Sequence, residues 1–243
     1  MAQALLPLKD LVEAKSRLAG LLRPAERRAL AQAMAEDVLF SLRQSDEISR
    51  VVMVSDDPGA EALCAVYGAE CWSEASLGCR GLNPVIDAAA TRMRTEADNT
   101  LLVLHADLPL LSAADIDAVI LQQSQHGGLV IGPDRRGSGT NLLAFSGQAL
   151  PEFRFGADSC SRHRAGASEA GIAASVVHRA GIGCDIDEPQ DLKYLMSRMS
   201  RTSSSHTARL LCTTQWGARV GIALDSLPPA ASSAQGEKWE AAP

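Results

Sequence analysis

The 243-residue sequence has few aromatic residues, no long apolar run and no excess of positive charge. Phe, Trp and Tyr together make up 4% of the chain, although its hydrophobic share is 46%. No apolar run reaches the roughly 18 residues that a bilayer-spanning helix needs. The net charge of -6 provides no basic field to attract nucleic acid. We therefore expect neither a membrane span nor a nucleic-acid partner.

The sequence also lacks the signatures of secretion and of cysteine-based sites. Its six cysteines form no C-x-x-C pair, and their wide spacing fits neither a zinc site nor the disulfide framework of a small secreted domain. The N-terminus has no basic segment followed by a long apolar stretch, as a secretory signal would. These absences predict reduced thiols in a cytoplasmic protein.

Two common nucleotide-binding motifs are missing as well. The P-loop pattern G-x-x-x-x-G-K-[ST] does not occur, and no G-x-G-x-x-G opens a helix after a strand. A P-loop NTPase and a Rossmann dinucleotide-binding protein are therefore disfavoured.

Short apolar segments alternate with longer segments of helical periodicity. Strands are predicted at residues 4–8, 50–55, 69–72, 101–105, 128–132, 141–145 and 175–178. Helices are predicted at residues 23–44, 58–67, 83–94, 112–125 and 189–199, with Ser112 as an N-cap. Buried strands that alternate with helices favour a single α/β domain with a mostly parallel sheet flanked by helices. Ligands bind such sheets at the carboxyl ends of the strands, so the loops there are the candidate sites.

The composition changes after residue 199. Residues 200–243 are rich in Ser, Pro, Ala and Gly and show little periodicity. The pattern predicts a domain at residues 1–199 followed by a low-complexity, mobile tail. Within that tail, "LLCTTQW" or "ARVGIAL" could still dock as a strand.

The loop after the first predicted strand, "PLKDLVEAKSRL", carries Lys9, Lys15 and Arg17. Cationic side chains of this kind neutralise the phosphates of a nucleotide. The alternative interpretation is a solvated basic loop.

Three aspartates follow other predicted strands or precede a helix. Asp107 lies in "LHADLPLL", where an unpaired carboxylate at the end of a buried strand is costly. Asp185 and Asp187 alternate around Ile186 in "GCDIDEPQDL", so that on an extended segment both face one side. Magnesium takes one or two carboxylates together with substrate phosphates, so these residues are candidate ligands. The alternatives are a turn aspartate at 107 and a helix start at 187.

Two glycine-containing loops, "GPDRRGSGTN" and "FRFGADSCSRH", are candidate anion sites. Gly156 and Ser159 come at the start of a predicted helix, whose N-terminal amides attract anions. A Ser159–His163–Asp187 triad is not supported, because no G-x-S-x-G elbow is present. The lone His163 is interpreted as a surface residue.

The ordered set of these motifs resembles one known family. The motifs are "AKSRL", "VVMVSDD", "GLNPVIDAA", "VLHADLPLLS", "VIGPDRRGSGTNLLAF", "FRFGADSCSRH" and "DIDEPQDL", within residues 4–198. They resemble the guanylyltransferases of deazaflavin coenzyme (coenzyme F-420) biosynthesis, which act on 2-phospho-L-lactate, phosphoenolpyruvate or 3-phospho-D-glycerate. The resemblance implies a nucleotide-diphospho-sugar-transferase-like (GT-A-like) fold. It also implies a magnesium-dependent transfer that joins GTP to a small phospho-acid, releases pyrophosphate and supplies the downstream transferase of coenzyme F-420 assembly.

The resemblance implies roles for individual residues. Cations that bind the GTP triphosphate are Lys9, Lys15 and Arg17, and residues at the guanosine are Ser55, Asp56 and Asn83. The magnesium ligands implied are Asp107, Asp185 and Asp187, and the acceptor-binding residues are Thr140, Gly156 and Ser159. Lys15, Arg17 and Asp107 would act at the reacting phosphates.

Two alternatives stay open at this point. A molybdopterin-type nucleotidyltransferase of the same fold would open with a Gly-rich L-x-x-G-x-S/G loop, where this chain has "LPLKDLVEAK". A non-catalytic nucleotide-binding domain would lose the metal-binding acids, whereas all three are present. The sequence leaves open which phospho-acid is the acceptor, and a homodimer is only a default expectation.

Overall fold

A seven-stranded sheet is the centre of the fold in the computed structural model, which describes residues 1–9, 11, 15–94, 100–146 and 151–226. The strands are β1 Ala2–Pro7, β2 Ile48–Val54, β3 Glu70–Trp72, β4 Thr100–Leu104, β5 Leu129–Pro133, β6 Thr140–Ser146 and β7 Ala174–Val176. Their order in the sheet is β3-β2-β1-β4-β6-β5-β7. Every neighbouring pair is parallel except the two pairs that include β6. The predicted mostly parallel sheet is confirmed.

Helices cover both faces of the sheet. They are α1 Pro24–Gln44, α2 Ala60–Tyr67, α3 Glu74–Leu77, α4 Leu82–Met93, α5 Ala113–His126, α6 Ser159–Glu169, α7 Ala180–Gly183, α8 Pro189–Arg198, α9 His206–Thr213 and α10 Gln215–Asp225. Every strand and helix with predicted bounds is present, with its ends within two residues of the prediction. The Ser112 N-cap is confirmed too, since its hydroxyl accepts a hydrogen bond from the Asp115 amide at 3.2 Å.

The central strands are apolar on both faces because helices pack on each side. All five residues of β4 are buried, as are the first five of β1. One apolar cluster includes Leu6 and Leu104 with α1 and α5, and a second on the other face includes Leu5 and Val103 with α4. Two-sided burial of this kind produces the near-continuous apolar runs seen in the sequence.

Strand β6 is antiparallel to its neighbours, so it begins at the edge of the sheet where the parallel strands end. Because β6 runs opposite to its neighbours, its first residue, Thr140, lies beside Pro133 at the end of β5. The His105 amide, just past β4, donates to the Asn141 carbonyl at 3.0 Å. Thr140 and Asn141 therefore lie at the carboxyl edge of the parallel strands.

The prediction of a tail from residue 200 is wrong for residues 206–225. These residues form α9 and α10, whose Leu211, Val220 and Leu224 are buried in a third apolar cluster together with residues of α1 and α8. Residues 227–243 lie outside the described part of the chain, and the prediction for them stays a prediction.

Two hydroxyl residues of this segment, Ser205 and Thr214, act as helix N-caps. The Ser205 hydroxyl accepts a hydrogen bond from the Ala208 amide at 3.1 Å, and the Thr214 hydroxyl accepts one from the Gly217 amide at 3.1 Å. Ser and Thr are favoured at N-caps because they satisfy amides that have no partner within the helix. A composition count cannot distinguish such caps from a disordered segment.

We expect Asp37→Ala to loosen α9 from the domain. The buried Asp37 carboxylate of α1 accepts hydrogen bonds from the amides of His206, at 2.6 Å, and Thr207, at 3.0 Å. Loss of both should lower the free energy of unfolding by about 2 kcal/mol. Chemical denaturation measures this effect, with Asp46→Ala at an exposed aspartate as the control. An Asp37→Ala protein as stable as the control would show that these contacts do not anchor α9.

All six cysteines are free, and Cys64, Cys160 and Cys184 are buried. No helix in the described part of the chain is both long and apolar enough to cross a membrane.

Candidate active site

Lys15, Asp107 and Asp187 form an ion network at the carboxyl edge of the sheet. The Lys15 ammonium donates to the Asp107 carboxylate and to the Asp187 carboxylate, the latter at 3.0 Å. Lys15 itself has φ 57° and ψ 39°, a left-handed conformation that non-glycine residues adopt only rarely. Three segments that are distant in sequence thus meet at one point.

The charges in this network stabilise one another. Burial alone would lower the pKa of Lys15, but the negative charges of Asp107 and Asp187 outweigh burial and raise that pKa above its ordinary value. Burial alone would raise the pKa of Asp107, but Lys15 opposes it and holds this pKa below its ordinary value. Lys15 is therefore a fixed positive charge and Asp107 a fixed negative charge at neutral pH.

Asp185 joins the site through Asn141. The Asn141 amide nitrogen donates to the Asp185 carboxylate at 3.0 Å and to the Ile182 carbonyl at 2.8 Å. Burial and then the negative charge of Asp107 raise the pKa of Asp185 to about 7, although the Asn141 hydrogen bond opposes this. Asn141 thus fixes the position of a carboxylate that repulsion would otherwise push away.

Asp191 holds the backbone beside Asp187. Its carboxylate accepts hydrogen bonds from the amides of Asp187, at 3.2 Å, and Glu188, at 2.8 Å, and it pairs with Arg135 at 3.2 Å. The same residue forms part of the capping box of α8. The helix start and the site carboxylate are therefore fixed by one side chain.

The three aspartates offer oxygen ligands of the kind that magnesium takes. The Asp107 Oδ1 atom is buried and has no hydrogen-bond partner among the residues that the structure describes, so this oxygen is a candidate to accept a cation. Within the described residues, no group of three or more His, Cys, Asp or Glu is arranged as a metal site, and the Lys15 ammonium bridges Asp107 and Asp187. The carboxylate oxygens are thus of the chemical kind that magnesium takes, while the Lys15 ammonium bridges two of the three carboxylates.

The predicted triphosphate cations lie around two adjoining cavities. A cavity of about 420 Å³ is lined by Lys9 and Lys15, together with His105, Asp107 and Asp187. Arg17 lines a smaller cavity, of about 110 Å³, which Asp187 also borders. The exposed Arg17 guanidinium is 3.3 Å from the Glu188 carboxylate. The structure thus places all three cations near the Asp107–Asp187 pair.

The three predicted guanosine contacts are not brought together. Ser55 and Asp56 line a different cavity, of about 510 Å³, with Trp72 and Arg92. Ser55 accepts a hydrogen bond from the Asp57 amide at 3.1 Å, and Asp56 accepts one from the Glu74 amide at 3.0 Å. Their contact with a base stays a prediction.

Asn83 holds the backbone of Phe155 rather than facing Ser55. Its amide nitrogen donates to the Phe155 carbonyl at 3.2 Å, and its amide oxygen accepts from the Phe155 amide at 2.8 Å. The next residue, Gly156, has φ 121°, a value that strongly favours glycine. Asn83 therefore shapes the loop that contains a predicted acceptor residue.

The predicted acceptor residues lie in the segments around His163: Thr140 contacts its ring, and the Ser159 amide donates to the Gly156 carbonyl at 3.2 Å. The interpretation of His163 as a surface residue is wrong, because this side chain is 2% exposed. One ring nitrogen, Nδ1, lies 3.0 Å from the Thr140 hydroxyl, and Nε2 accepts a hydrogen bond from the Arg154 amide at 2.9 Å. Ser159 lies one helical turn before His163 on α6.

The buried His163 should make the protein less stable in acid. Burial, followed by the charges of Arg162 and Arg154, lowers the pKa of His163 to about 4 from 6.5. The unfolded chain therefore binds a proton first, and stability is lost as the pH falls from about 6.5 to about 4. Between pH 7 and pH 4, the wild type should lose about 3 kcal/mol more unfolding free energy than His163→Gln. Denaturation curves at both pH values measure this difference, and equal losses would contradict it.

Sequence reasoning missed Asn141, Asp191 and His163. Asn141 directly follows Thr140, and Asp191 lies three residues after Glu188 in a helix-start pattern, so both had a local signal. His163 had none, because its partner Thr140 lies 23 residues earlier in the chain.

Comparison with known proteins gives a family match over most of the chain. The family model "Guanylyl transferase CofC like" matches residues 2–214, a range that extends beyond the predicted domain end at 199.

Curated relatives cover nearly the same region. A phosphoenolpyruvate guanylyltransferase from Conexibacter woesei is 36% identical over 211 residues, which span 86% of this chain and 94% of the relative. A 3-phospho-D-glycerate guanylyltransferase from Phenylobacterium zucineum is 36% identical over 196 residues, which span 79% and 88%.

Solved structures confirm the predicted fold. A protein from Desulfovibrio desulfuricans G20, assigned to the nucleotide-diphospho-sugar transferases, has a TM-score of 0.72 at 18% identity and covers 92% of this chain and 97% of its own. A 4-diphosphocytidyl-2C-methyl-D-erythritol synthase has a TM-score of 0.55 at 12% identity, with coverage of 80% and 96%. At these identities the likeness concerns the fold alone.

Proposed function

The chain belongs to the CofC-like guanylyl transferase family, and from this premise we propose that it joins GTP to a small phospho-acid and releases pyrophosphate. The observation that carries the proposal is the placement of two unlike sites along one sheet edge. Lys15 and three aspartates occupy one part of this edge, and the buried Thr140–His163 pair lies beside Gly156 and Ser159 in the other. The first suits a triphosphate with a cation, and the second suits an anionic acceptor.

The reaction needs no strong base from the protein. The acceptor phosphate is already an anion, so one of its oxygens attacks the α-phosphorus of GTP. The bond from the α-phosphorus to the bridging oxygen breaks, and pyrophosphate leaves with that oxygen. The protein must neutralise charge and align the two phosphates in line. Lys9, Lys15 and Arg17 line the cavities where that neutralisation is required.

Magnesium is the metal that the aspartates would hold. Asp107, Asp185 and Asp187 supply carboxylate oxygens, and Asn141 orients one of them through its 3.0 Å hydrogen bond to Asp185. When bound, the ion would supply positive charge that stabilises the phosphate oxygens in the transition state. Lys15, which bridges the same two carboxylates, keeps the pair Asp107 and Asp187 neutralised.

The acceptor belongs to the class of small phospho-acids. The two relatives described above carry the names of a phosphoenolpyruvate and a 3-phospho-D-glycerate guanylyltransferase, and both are 36% identical to this chain. Equal identity to these two relatives gives no preference between their two acids, and we keep 2-phospho-L-lactate as a third candidate acceptor. We further propose that the product passes to the downstream transferase of coenzyme F-420 assembly, and that the protein acts in the cytoplasm, with a homodimer as its expected assembly.

The experiment that tests this function measures pyrophosphate release. The protein is incubated with GTP, magnesium and each of the three phospho-acids in turn, with ATP and CTP in place of GTP as controls. Release with GTP and one of the acids supports the proposal and identifies the acceptor. If no acid gives release, even when the downstream transferase is added to consume an unstable product, the proposal fails.

A further inference from the structure

His163 joins the three chain segments that carry the predicted acceptor residues. It contacts Thr140 at the start of β6, it accepts the Arg154 amide just before Gly156, and it lies on α6 one turn after Ser159. The Phe155 ring packs edge-on against His163, with centroids 4.9 Å apart. One buried imidazole therefore fixes the relative positions of all three segments.

The hydrogen bonds of His163 determine which of its nitrogens carries the proton. The Arg154 amide can only donate, so Nε2 must be the acceptor and carries no proton. In the neutral ring the proton is then on Nδ1, and burial keeps the ring neutral by lowering the pKa of His163 to about 4. Nδ1–H consequently faces the Thr140 hydroxyl oxygen at 3.0 Å, and the Ser159 backbone carbonyl is a second acceptor beside the ring.

This donation restricts the hydroxyl proton of Thr140. Because the Thr140 oxygen accepts from Nδ1–H, its own proton cannot point at the imidazole and must be directed elsewhere. An anionic phosphate or carboxylate oxygen is a strong acceptor for such a proton. The Thr140 hydroxyl is therefore held in an orientation in which it donates a hydrogen bond. A threonine whose hydroxyl rotates freely would adopt this orientation only part of the time.

We propose that His163 is a positioning residue for the phospho-acid: it orients the Thr140 hydroxyl as a donor to an anionic oxygen of the acceptor and fixes the Gly156–Ser159 loop around it. This inference rests on the proposed function, since it assigns the acceptor to this site. His163 is not a catalytic base, because its Nε2 is occupied by the Arg154 amide and its Nδ1 carries the proton. The effect acts through Thr140 and reaches no reacting atom directly.

Two substitutions separate the two hydrogen bonds of the ring. An asparagine amide can take the place of Nδ1–H, so His163→Asn should keep the bond to Thr140 and lose the bond to the Arg154 amide. A glutamine is long enough to reach the Nε2 position, so His163→Gln should keep the acceptor for Arg154 and lose the donor to Thr140. His126→Gln, at an exposed histidine of α5, is the matched control.

The proposal predicts a selective change in acceptor binding. His163→Gln should raise KM for the phospho-acid about 10- to 100-fold, as expected for a hydrogen bond to a charged group. KM for GTP should stay within about twofold of the wild type, and His163→Asn should recover most of the acceptor affinity. If both variants raise KM for GTP and acceptor alike, or lose activity in proportion to their melting temperatures, His163 is only structural and the proposal is overturned.

A double-mutant cycle with Thr140 tests the route of the effect. Thr140→Val alone should raise acceptor KM by a similar factor, and in the His163→Gln background it should add less than twofold. Thr140→Ser, which keeps the hydroxyl, should have an acceptor KM close to that of the wild type, unlike Thr140→Val. Fully additive effects of Thr140→Val and His163→Gln would show that the two residues act independently and would overturn the proposal.

Nitrogen-15 NMR of the imidazole tests the geometry without any turnover. The His163 ring of the wild type at pH 7 should show a protonated Nδ1 and an unprotonated Nε2, and Thr140→Val should shift the Nδ1 resonance. The opposite tautomer would overturn the inference even if the protein is a guanylyltransferase. The reverse outcome is also informative. If the tautomer is as expected but no acid gives pyrophosphate release, the proposed function fails while the hydrogen-bond geometry stands.

Discussion

Replacing Asp107 with asparagine is expected to lower kcat by about a thousandfold while leaving the protein folded. Asp107 is a fixed negative charge that pairs with Lys15, and one of its carboxylate oxygens is buried with no hydrogen-bond partner in the described part of the chain. The substitution removes the charge that a cation at the phosphates requires but keeps the shape of the side chain. Lys15 retains its partner Asp187, so the surrounding structure keeps one ion pair.

Steady-state kinetics and a melting temperature measure the two parts of this prediction. Asp225→Asn, at an exposed carboxylate on α10, is the control and should keep wild-type kcat. Titration with magnesium should show that the metal increases the activity of Asp107→Asn less than it increases the activity of the wild type. Wild-type turnover in Asp107→Asn would refute the assignment of this residue to the reacting phosphates.

Replacing Lys15 with methionine is expected to lower kcat roughly a hundredfold to a thousandfold and to raise KM for GTP. Lys15 donates to both Asp107 and Asp187, so its loss leaves these two carboxylates without its neutralising charge. Without Lys15 the pKa of Asp107 should rise, so the activity profile should shift to the alkaline side.

The Lys15→Met kinetics should also separate the two halves of the site. KM for the phospho-acid should change little, in contrast to His163→Gln, where acceptor KM changes and KM for GTP does not. Lys193→Met on α8 serves as the control for removing a lysine. An unaltered KM for GTP together with unaltered kcat would exclude Lys15 from the triphosphate site.

The sequence indicated that Lys15, Asp107 and Asp187 lie at one edge of the sheet, but it did not indicate that Lys15 pairs with both carboxylates. Each residue follows or borders an apolar segment, and in a parallel sheet the loops after strands meet at one edge. The structure places their charged groups within hydrogen-bond distance although they are as many as 172 residues apart in the chain. Local patterns were sufficient for the shared edge because the topology rule supplied the long-range information.

The direction of β6 was not predicted, yet the sequence holds a clue to it. Only residues 134–139 connect β5 to β6, and a parallel crossover needs a dozen or more residues. Such a short connection allows only antiparallel pairing. That direction is what brings Thr140 to the carboxyl edge of the parallel strands.

The positions of Asn83 and His163 could not be derived from local patterns. Asn83 bonds to the backbone of Phe155, which lies 72 residues later, and His163 contacts Thr140, which lies 23 residues earlier. A single polar residue on a helix gives no periodic signal that distinguishes burial from exposure. Only the packing of α4 and α6 against the sheet decides which polar atoms these residues meet.

The most direct test of the account is to identify the product with an acceptor whose phosphate oxygens carry oxygen-18. The account predicts a guanosine diphospho-acid that contains all of the label, together with unlabelled pyrophosphate, because the acceptor oxygen attacks the α-phosphorus. Mass spectrometry of both products reads the label. Formation of GMP or GDP without the joined product, or label in the pyrophosphate, would contradict guanylyl transfer to the phospho-acid at this site.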